Sequence, residues 1–407
     1  MLSKVLASEH GWADRRQDPR SVISVAHIIT KLELGGAQQN TLFTVAHLDR
    51  ARFRPILITG EPGPLDEEAR RESGAEFHQV PALGRTIRPL ADLLAFYRLT
   101  RLLRRLKPTI VHTHSSKAGI IGRCAARLAG VPIIIHSIHG FGFTPAQPPL
   151  LRSSLIAAER MVGRMTSWFI AVSESTRQQG IDLGLFPPER CSVIRSGIDL
   201  RMFKHTQVDV EKKRRELDLE PDCPVVGMIA PLKPQKAPLD YVRLAALVCR
   251  VRPEAQFLLI GDGELRAEVE AAARQHELGS KFRLLGWRRD IAEILQSLDV
   301  FVLTSRWEGL PRVYLEALAS GRPIVGTNVD GAAEVVHEGV NGYLVEPGNL
   351  DRMAKEILGL LRDPPRAREM GRRGQLISDE FDIHHMVSRQ EEQYSQLLQR
   401  LTGTTSR

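Results

Sequence analysis

The sequence predicts an α/β protein made of two parallel-sheet lobes. Three observations lead there: a chain of 407 residues, short β-branched apolar runs alternating with helical stretches, and a fresh start of that alternation near residue 224. A chain this long exceeds one ordinary domain and can bury two cores. Strands that alternate with helices imply parallel pairing through crossover connections.

Residues 1–20 are polar and mixed in charge; they lack the apolar core of a signal peptide and read as a disordered tail. Residues 22–29 (VISVAHII) form a continuous apolar run, the pattern of a strand covered on both faces. Leu34-Gly35-Gly36-Ala37 then opens a helix over 38–48. Strands follow at 54–59, 109–112 and 133–137, with helices at 89–106 and 117–128; strands at 169–173 and 191–194 close a first lobe spanning 21–204. The second lobe, 205–383, has strands at 224–229, 256–260, 283–285, 300–303 and 323–326. Its helices are expected at 239–251, 265–276, 311–319 and 350–361. A last helix, from 384 in the segment 384–407, carries Met386, Tyr394, Leu397, Leu398 and Leu401 on one stripe; it can pack on either lobe, including back on the first.

A hydrophobic content of 43% and a charged content of 26% are those of a soluble globular protein, and no apolar run approaches the roughly 18 residues of a membrane span. Cys124, Cys191, Cys223 and Cys249 form no CxxC pair, which fits a reducing compartment and a cytoplasmic location. The net charge of +8 is uneven: residues 1–205 hold 28 Lys and Arg against 17 Asp and Glu, and the nine charged residues between Leu93 and Ala158 are all basic. Such a half fits an anionic partner, with a merely solvated basic face as the alternative.

Ligands of open parallel sheets bind beyond the carboxyl ends of the strands. The densest cluster at such an end runs from Ser305 to Glu316. Pro311 suits a first helical position, and the helix amino-terminus offers N–H groups and positive dipole to a diphosphate. Glu308 precedes the helix and Glu316 lies nearly two turns along it, so both carboxylates can face one cleft and accept from sugar hydroxyls. Spacing alone also allows a capping glutamate and an exposed one. His112 with His114, and His136 with His139, raise a metal site, but no carboxylate lies between Asp92 and Glu159 to complete a local ligand set, and no metal is expected.

The Glu308–Glu316 spacing resembles the E-x7-E motif of retaining glycosyltransferases of family 4, which have the GT-B fold of two Rossmann-like lobes facing across a cleft. Other segments share the resemblance: Gly35-Gly36-Ala37; His112-Thr113-His114-Ser115-Ser116-Lys117-Ala118-Gly119, similar to the H-x-H-x-x-K-A-G of bacterial polysaccharide members; His139-Gly140; Gly197-Ile198-Asp199; Gly261-Asp262-Gly263; Leu285-Gly286-Trp287; and Gly331-Ala332-Ala333-Glu334. It covers roughly residues 22–400.

The resemblance implies that Glu308 holds hydroxyls of the donor sugar, Glu316 the ribose, and the backbone N–H groups of Gly309, Leu310, Pro311's turn and Arg312 the diphosphate. Arg288 would meet the base through its main chain, Gly36 would admit the diphosphate, and His139 would stand beside the transferred sugar. His114, Lys117 and Phe141 are acceptor-side candidates. Lys236 matches the family's lysine, but its usual arginine is replaced by Pro231, and Lys233 is expected to supply that charge. The implied activity is metal-independent, retaining transfer of a hexose-type sugar to an acceptor hydroxyl in polysaccharide or cell-envelope glycan synthesis. The nucleotide-sugar is a co-substrate and no cofactor is expected. The expected partners are a lipid-linked or glycan acceptor and an anionic membrane surface at the inner face of the cell membrane, with no nucleic acid. A non-catalytic nucleotide-sugar-binding protein and a GT-B sugar-nucleotide epimerase are the alternatives.

Overall fold

The computed structural model describes residues 22–144 and 147–403; the expected tail over 1–20 lies outside the described residues. The first lobe comprises β1 (Ile23–Ile29), α1 (Gly36–His47), β2 (Phe53–Thr59), α2 (Asp66–Glu72), β3 (Glu76–Gln79), α3 (Pro89–Leu106), β4 (Ile110–His114), α4 (Ser116–Ala129), β5 (Ile133–Ile138), α5 (Pro149–Gly163), β6 (Trp168–Ala171), α6 (Glu174–Asp182) and β7 (Cys191–Val193). After α7 (Leu200–Lys204), the second lobe contains α8 (Val210–Glu216), β8 (Val225–Ile229), α9 (Pro238–Val251), β9 (Gln256–Ile260), α10 (Arg266–Gln275), β10 (Phe282–Gly286), α11 (Ile291–Gln296), β11 (Val300–Leu303), α12 (Arg312–Ala319), β12 (Ile324–Thr327), β13 (Gly342–Val345), α13 (Leu350–Arg362) and α14 (Pro364–Ile377). The last helix is α15 (Ile383–Thr402).

The strand orders are β3-β2-β1-β4-β5-β6-β7 and β10-β9-β8-β11-β12-β13. Their strand pairings are parallel. In each sheet the chain order reverses at the centre, between β1 and β4 and between β8 and β11. Crevices open at such reversals, because the flanking crossovers leave on opposite faces.

The central strands follow from their residues: Val25, Ala26, Ile28 and Ile29 of β1 are fully buried, as are Val225, Val226 and Met228 of β8. Edge strands β3 and β13 were not expected. Each has four residues and pairs on one side only, so neither carries a long apolar run. Helix α14 is also hard to read, because it opens on Pro364-Pro365 and buries only Ala367, Met370, Gly371 and Gly374.

The chain crosses between the lobes twice, side by side. Ile198 N–H donates to Phe381 O at 3.0 Å, and Ile383 N–H donates to Ile198 O at 3.0 Å. A Cβ on Gly197 would lie 2.5 Å from Ile383 Cα, so this close approach needs glycine. Leu200 and Phe203 already pack in the second core. Helix α15 returns to the first lobe, where Met386, Tyr394 and Leu397 join Val25, Phe53 and Ile110.

Candidate active site between the lobes

A cleft of about 2150 Å3 separates the lobes. Its walls include the loop from β1 into α1, the ends of β5 and β8, and the loop from β11 into α12. The central reversals of both sheets therefore open into one space. Gly36, Lys117, His139, Phe141, Lys233, Lys236, Arg288, Glu308, Gly309, Leu310, Pro311, Arg312 and Glu316 all line it. His114 does not.

Glu308 is fixed from three sides. Its Oε1 accepts from Lys236 Nζ and from Ser305 Oγ (2.6 Å), while its backbone N–H donates to Asp330 Oδ2 at 2.6 Å. The Lys236 and Glu308 side chains are 14% and 8% exposed, so this is a charge-assisted contact at the cleft wall, shielded from most of the solvent. Asp330 holds its place with φ +42°, a left-handed conformation that non-glycine residues adopt at a cost. Desolvation pushes its carboxyl above the usual range.

Pro311 is the cap of α12 rather than its first residue; its ψ of 101° is extended, and the helix begins at Arg312. No side chain caps that end, and Tyr314 N–H is taken by Pro311 O at 3.0 Å, which leaves the N–H groups of Arg312 and Val313, both lining the cleft, as anion donors. Glu316 pairs with Arg312 one turn back at 3.7 Å. Burial pushes the Glu316 carboxyl up and draws the Arg312 guanidinium down, each partly offset by the other's charge.

Arg312 also spans the lobes, donating to Gln39 Oε1 at 2.6 Å and to Gly36 O at 3.4 Å. A Cβ on Gly36 would meet Arg312 Cδ at 3.0 Å; here Gly36 makes room for this bridge. A Cβ on Gly309 would lie 2.3 Å from His139 O, so the loop from β11 into α12 and the end of β5 touch only because residue 309 is glycine.

Lys233 extends into the cleft and has no ion pair among the described residues. Desolvation lowers its pKa, the nearby Arg85 and Lys236 lower it further, and Glu33 and Glu264 oppose them. An ammonium held where its charge is disfavoured is a ready partner for an incoming anion. The side chain of Arg288 is engaged elsewhere, with Asp290 at 2.6 Å and Glu216 at 2.8 Å. That leaves its main chain for the cleft. Beside it, Trp287 is half exposed.

On the first-lobe wall of the cleft Phe141 stacks on Phe143 with ring centroids 4.9 Å apart. Lys117 is tied to Asp92 at 2.5 Å and to Thr86 O, so its ammonium braces the start of α3 instead of standing free. The expectation for His114 needs correction. It is 2% exposed and sits behind His139, because alternation along β4 turns His112 and His114 to the sheet face that α15 covers.

His27, His112 and His114 place donor atoms within 4.8 Å of one another, a grouping whose first member sequence reading missed. Both ring nitrogens of His112 are engaged, by Tyr394 Oη at 2.6 Å and Ser137 Oγ at 2.8 Å. Desolvation draws the His27 pKa to about 3 and those of His112, His114 and His136 well below their ordinary value. Their folded values lie beneath the unfolded one, so the unfolded chain binds more protons as pH falls. The stability from these neutral imidazoles is complete above the unfolded value and is lost below it, toward the folded values. Between pH 7 and pH 5 His27 alone costs about 2 kcal/mol, and His112, His114 and His136 act in the same direction. Calorimetry is therefore expected to give a clearly lower Tm at pH 5 than at pH 7, with proton uptake on unfolding; an unchanged Tm would contradict this reading.

The sequence placed Ser305 at the start of the strand-end cluster without a role, and it left out Asp330 and Gln39. The Asp330-Gly331 pair is the signal of a tight turn, whereas Gln39 gave none on its own.

Residues 34–201 match the family model described as Glycosyltransferase Family 4, and residues 209–376 match that of Glycosyl transferases group 1. The chain is 34% identical over 346 residues to the UDP-Gal:alpha-D-GlcNAc-diphosphoundecaprenol alpha-1,3-galactosyltransferase of Escherichia coli, covering 84% of this chain and 89% of the relative. It is 28% identical to the N,N'-diacetylbacillosaminyl-diphospho-undecaprenol alpha-1,3-N-acetylgalactosaminyltransferase of Campylobacter jejuni, covering 68% and 74%. Among solved structures, Anabaena HepE in complex with UDP and glucose superposes with a TM-score of 0.80 at 22% identity, covering 92% of this chain and 100% of that one. WaaG, a glycosyltransferase involved in lipopolysaccharide biosynthesis, gives 0.74 at 15% identity, covering 90% and 98%. At these identities the structural likeness establishes the GT-B fold.

Proposed function

The chain belongs to the glycosyltransferases of family 4, and from that premise we propose that it transfers a hexose-type sugar from a nucleoside-diphosphate sugar to a hydroxyl of a lipid-diphosphate-linked glycan, with retention of configuration and without a metal ion. The observation that carries this is the junction of Lys236, Glu308 and Ser305 beside Lys233 and the uncapped start of α12. One end of the junction is cationic and suits a leaving diphosphate. The other is carboxylate and suits sugar hydroxyls.

In the proposed reaction the acceptor hydroxyl stands on the face from which the diphosphate leaves. The bond from the anomeric carbon to the diphosphate oxygen breaks, and the bond to the acceptor oxygen forms on the same face. The acceptor proton passes to the departing phosphate oxygen. Lys236, Lys233 and the N–H groups of α12 stabilise the growing negative charge, a task for which fixed donors in a closed site are well suited. Closure of the lobes across Arg312 and Gln39 would exclude water from the donor. Because two ammonium groups neutralise the diphosphate, chelation with EDTA is expected to leave turnover unchanged; loss of activity that magnesium or manganese restores would refute metal independence.

The lipid-linked acceptor is supported by the first lobe's surface. Ile87, Leu90, Leu93, Leu94 and Tyr97 are 67%, 86%, 65%, 42% and 60% exposed at the start of α3, and Arg98, Arg101, Arg104 and Arg105 are exposed along the same helix. Ile87 and Leu151 also line the cleft, so its mouth reaches this apolar rim. No helix of the described residues is long and apolar enough to cross a membrane. We place the enzyme at the cytoplasmic face, with this patch against an anionic bilayer. The protein is expected to co-sediment with vesicles containing phosphatidylglycerol and to be released by Leu90→Asp together with Leu93→Asp; equal binding to neutral vesicles would count against it. The E. coli and C. jejuni relatives carry diphosphoundecaprenol acceptors in their names, which supports the same acceptor class here.

The function is tested by incubating the purified protein with UDP-, GDP- and ADP-sugars and a polyprenyl-diphosphate-linked sugar, with released nucleotide as the readout. Acceptor-dependent release from one donor is expected. Donor binding with no release under any pairing would instead favour a binding protein.

A further inference from the structure

Behind the cleft three imidazoles form a line. His27 Nδ1 lies 3.0 Å from His114 Nε2, and His114 Nδ1 lies 3.1 Å from His139 Nε2. His139 lines the cleft, and nothing among the described residues bonds to its Nδ1. At the inner end, His27 Nε2 is buried without a partner. The adjacent His112 cannot break into the line, since Tyr394 and Ser137 hold both its nitrogens.

The line has two consistent directions. If protons point inward, His139 donates to His114, His114 donates to His27, and His27 is left with an N–H buried against nothing. If they point outward, the inner end leaves only a lone pair unmatched. Orphaned buried N–H groups are rare in folded proteins, so the outward direction is favoured. We propose that His27 and His114 are positioning residues that hold His139 as its Nδ1–H tautomer, with Nε2 accepting from His114 and the Nδ1–H donor turned to the transferred sugar.

The chemistry of the cleft gives that tautomer a purpose. An anomeric carbon that develops positive charge is poorly served by a nearby imidazolium. A neutral imidazole with a fixed N–H can donate to a sugar hydroxyl without opposing that charge. Burial supports neutrality at both ends, drawing His139 to about 4 and His27 to about 3. Fixing the proton on one nitrogen in advance also removes the choice of tautomer from the reaction step.

The catalytic consequence rests on the glycosyl-transfer reading; the tautomer itself does not. The test is therefore 15N-edited NMR of histidine-labelled full-length protein, with His139 assigned by its loss in His139→Gln. The wild-type ring is expected to show a protonated Nδ1 and an unprotonated Nε2. In His114→Leu the Nε2–H form should appear and kcat/KM should fall about 10-fold or more, with nucleotide affinity unchanged. In His114→Asn, whose amide can donate in place of Nδ1–H, the wild-type tautomer and much of the rate should return. A wild-type His139 protonated at Nε2, or a tautomer unchanged in His114→Leu, would overturn the proposal. So would uptake of one equivalent of zinc that shifts the His27, His112 and His114 nitrogens, since the cluster would then be a metal site.

Discussion

Lys236→Ala is expected to lower turnover by about 10²–10³-fold, the usual cost of removing one donor from a site where charge develops. Lys236 sits after β8 with its ammonium on Glu308, and the first turn of α12 begins a few residues beyond that glutamate. In the proposed reaction the ammonium shifts from carboxylate to diphosphate as donor binds, freeing Glu308 for the sugar hydroxyls. The alanine takes a cation from the leaving group and, before donor binds, the partner that holds Glu308 in place. The fold should survive, because Glu308 retains Ser305 Oγ and its backbone tie to Asp330, and the cleft admits water to the vacated space. Steady-state nucleotide release and circular dichroism check the two parts. Turnover within a few-fold of wild type would refute the phosphate role.

Lys233→Ala is the second large effect, expected at about 10-fold or more in kcat. Its basis is particular to this chain. Pro231 stands where the family usually has arginine, and the ammonium two residues on extends into the cleft without an ion pair among the described residues. Desolvation and the neighbouring Arg85 disfavour its charge while the cleft is empty. Removing it should therefore leave Tm unchanged or slightly raised. A structural lysine would show the reverse pattern, with lower stability and intact turnover. A change in turnover within twofold would mean that the leaving group relies on Lys236 and α12 alone.

What the sequence made legible has a physical pattern. Strands β1 and β8 were readable because burial on both faces demands an unbroken apolar run; the edge strands carry no such demand, and of these β7 and β10 were read while β3, with one apolar residue in EFHQ, and β13, opening on Gly342, were not. The Glu308–Glu316 spacing was readable because both residues belong to one turn and helix. The partners that give Glu308 its chemistry were not, since Lys236 is 72 residues away and Asp330 is 22, brought together only by the packing of three strand ends. His114 shows the same limit. Alternation along β4 could have paired it with His112 on one face. What covers that face is α15, whose Tyr394 is 282 residues from His112. Arg312 looked like one residue of a phosphate-binding turn, yet its side chain reaches Gln39 in the other lobe.

The central claim is that the two sheet reversals open into one diphosphate site. A crystal structure with the nucleoside diphosphate of the active donor tests it most directly. The β-phosphate is expected against the first turn of α12, with Lys236 Nζ and Lys233 Nζ both in contact with it and Lys236 withdrawn from Glu308. A nucleotide bound elsewhere, with the Lys236–Glu308 pair intact, would contradict it.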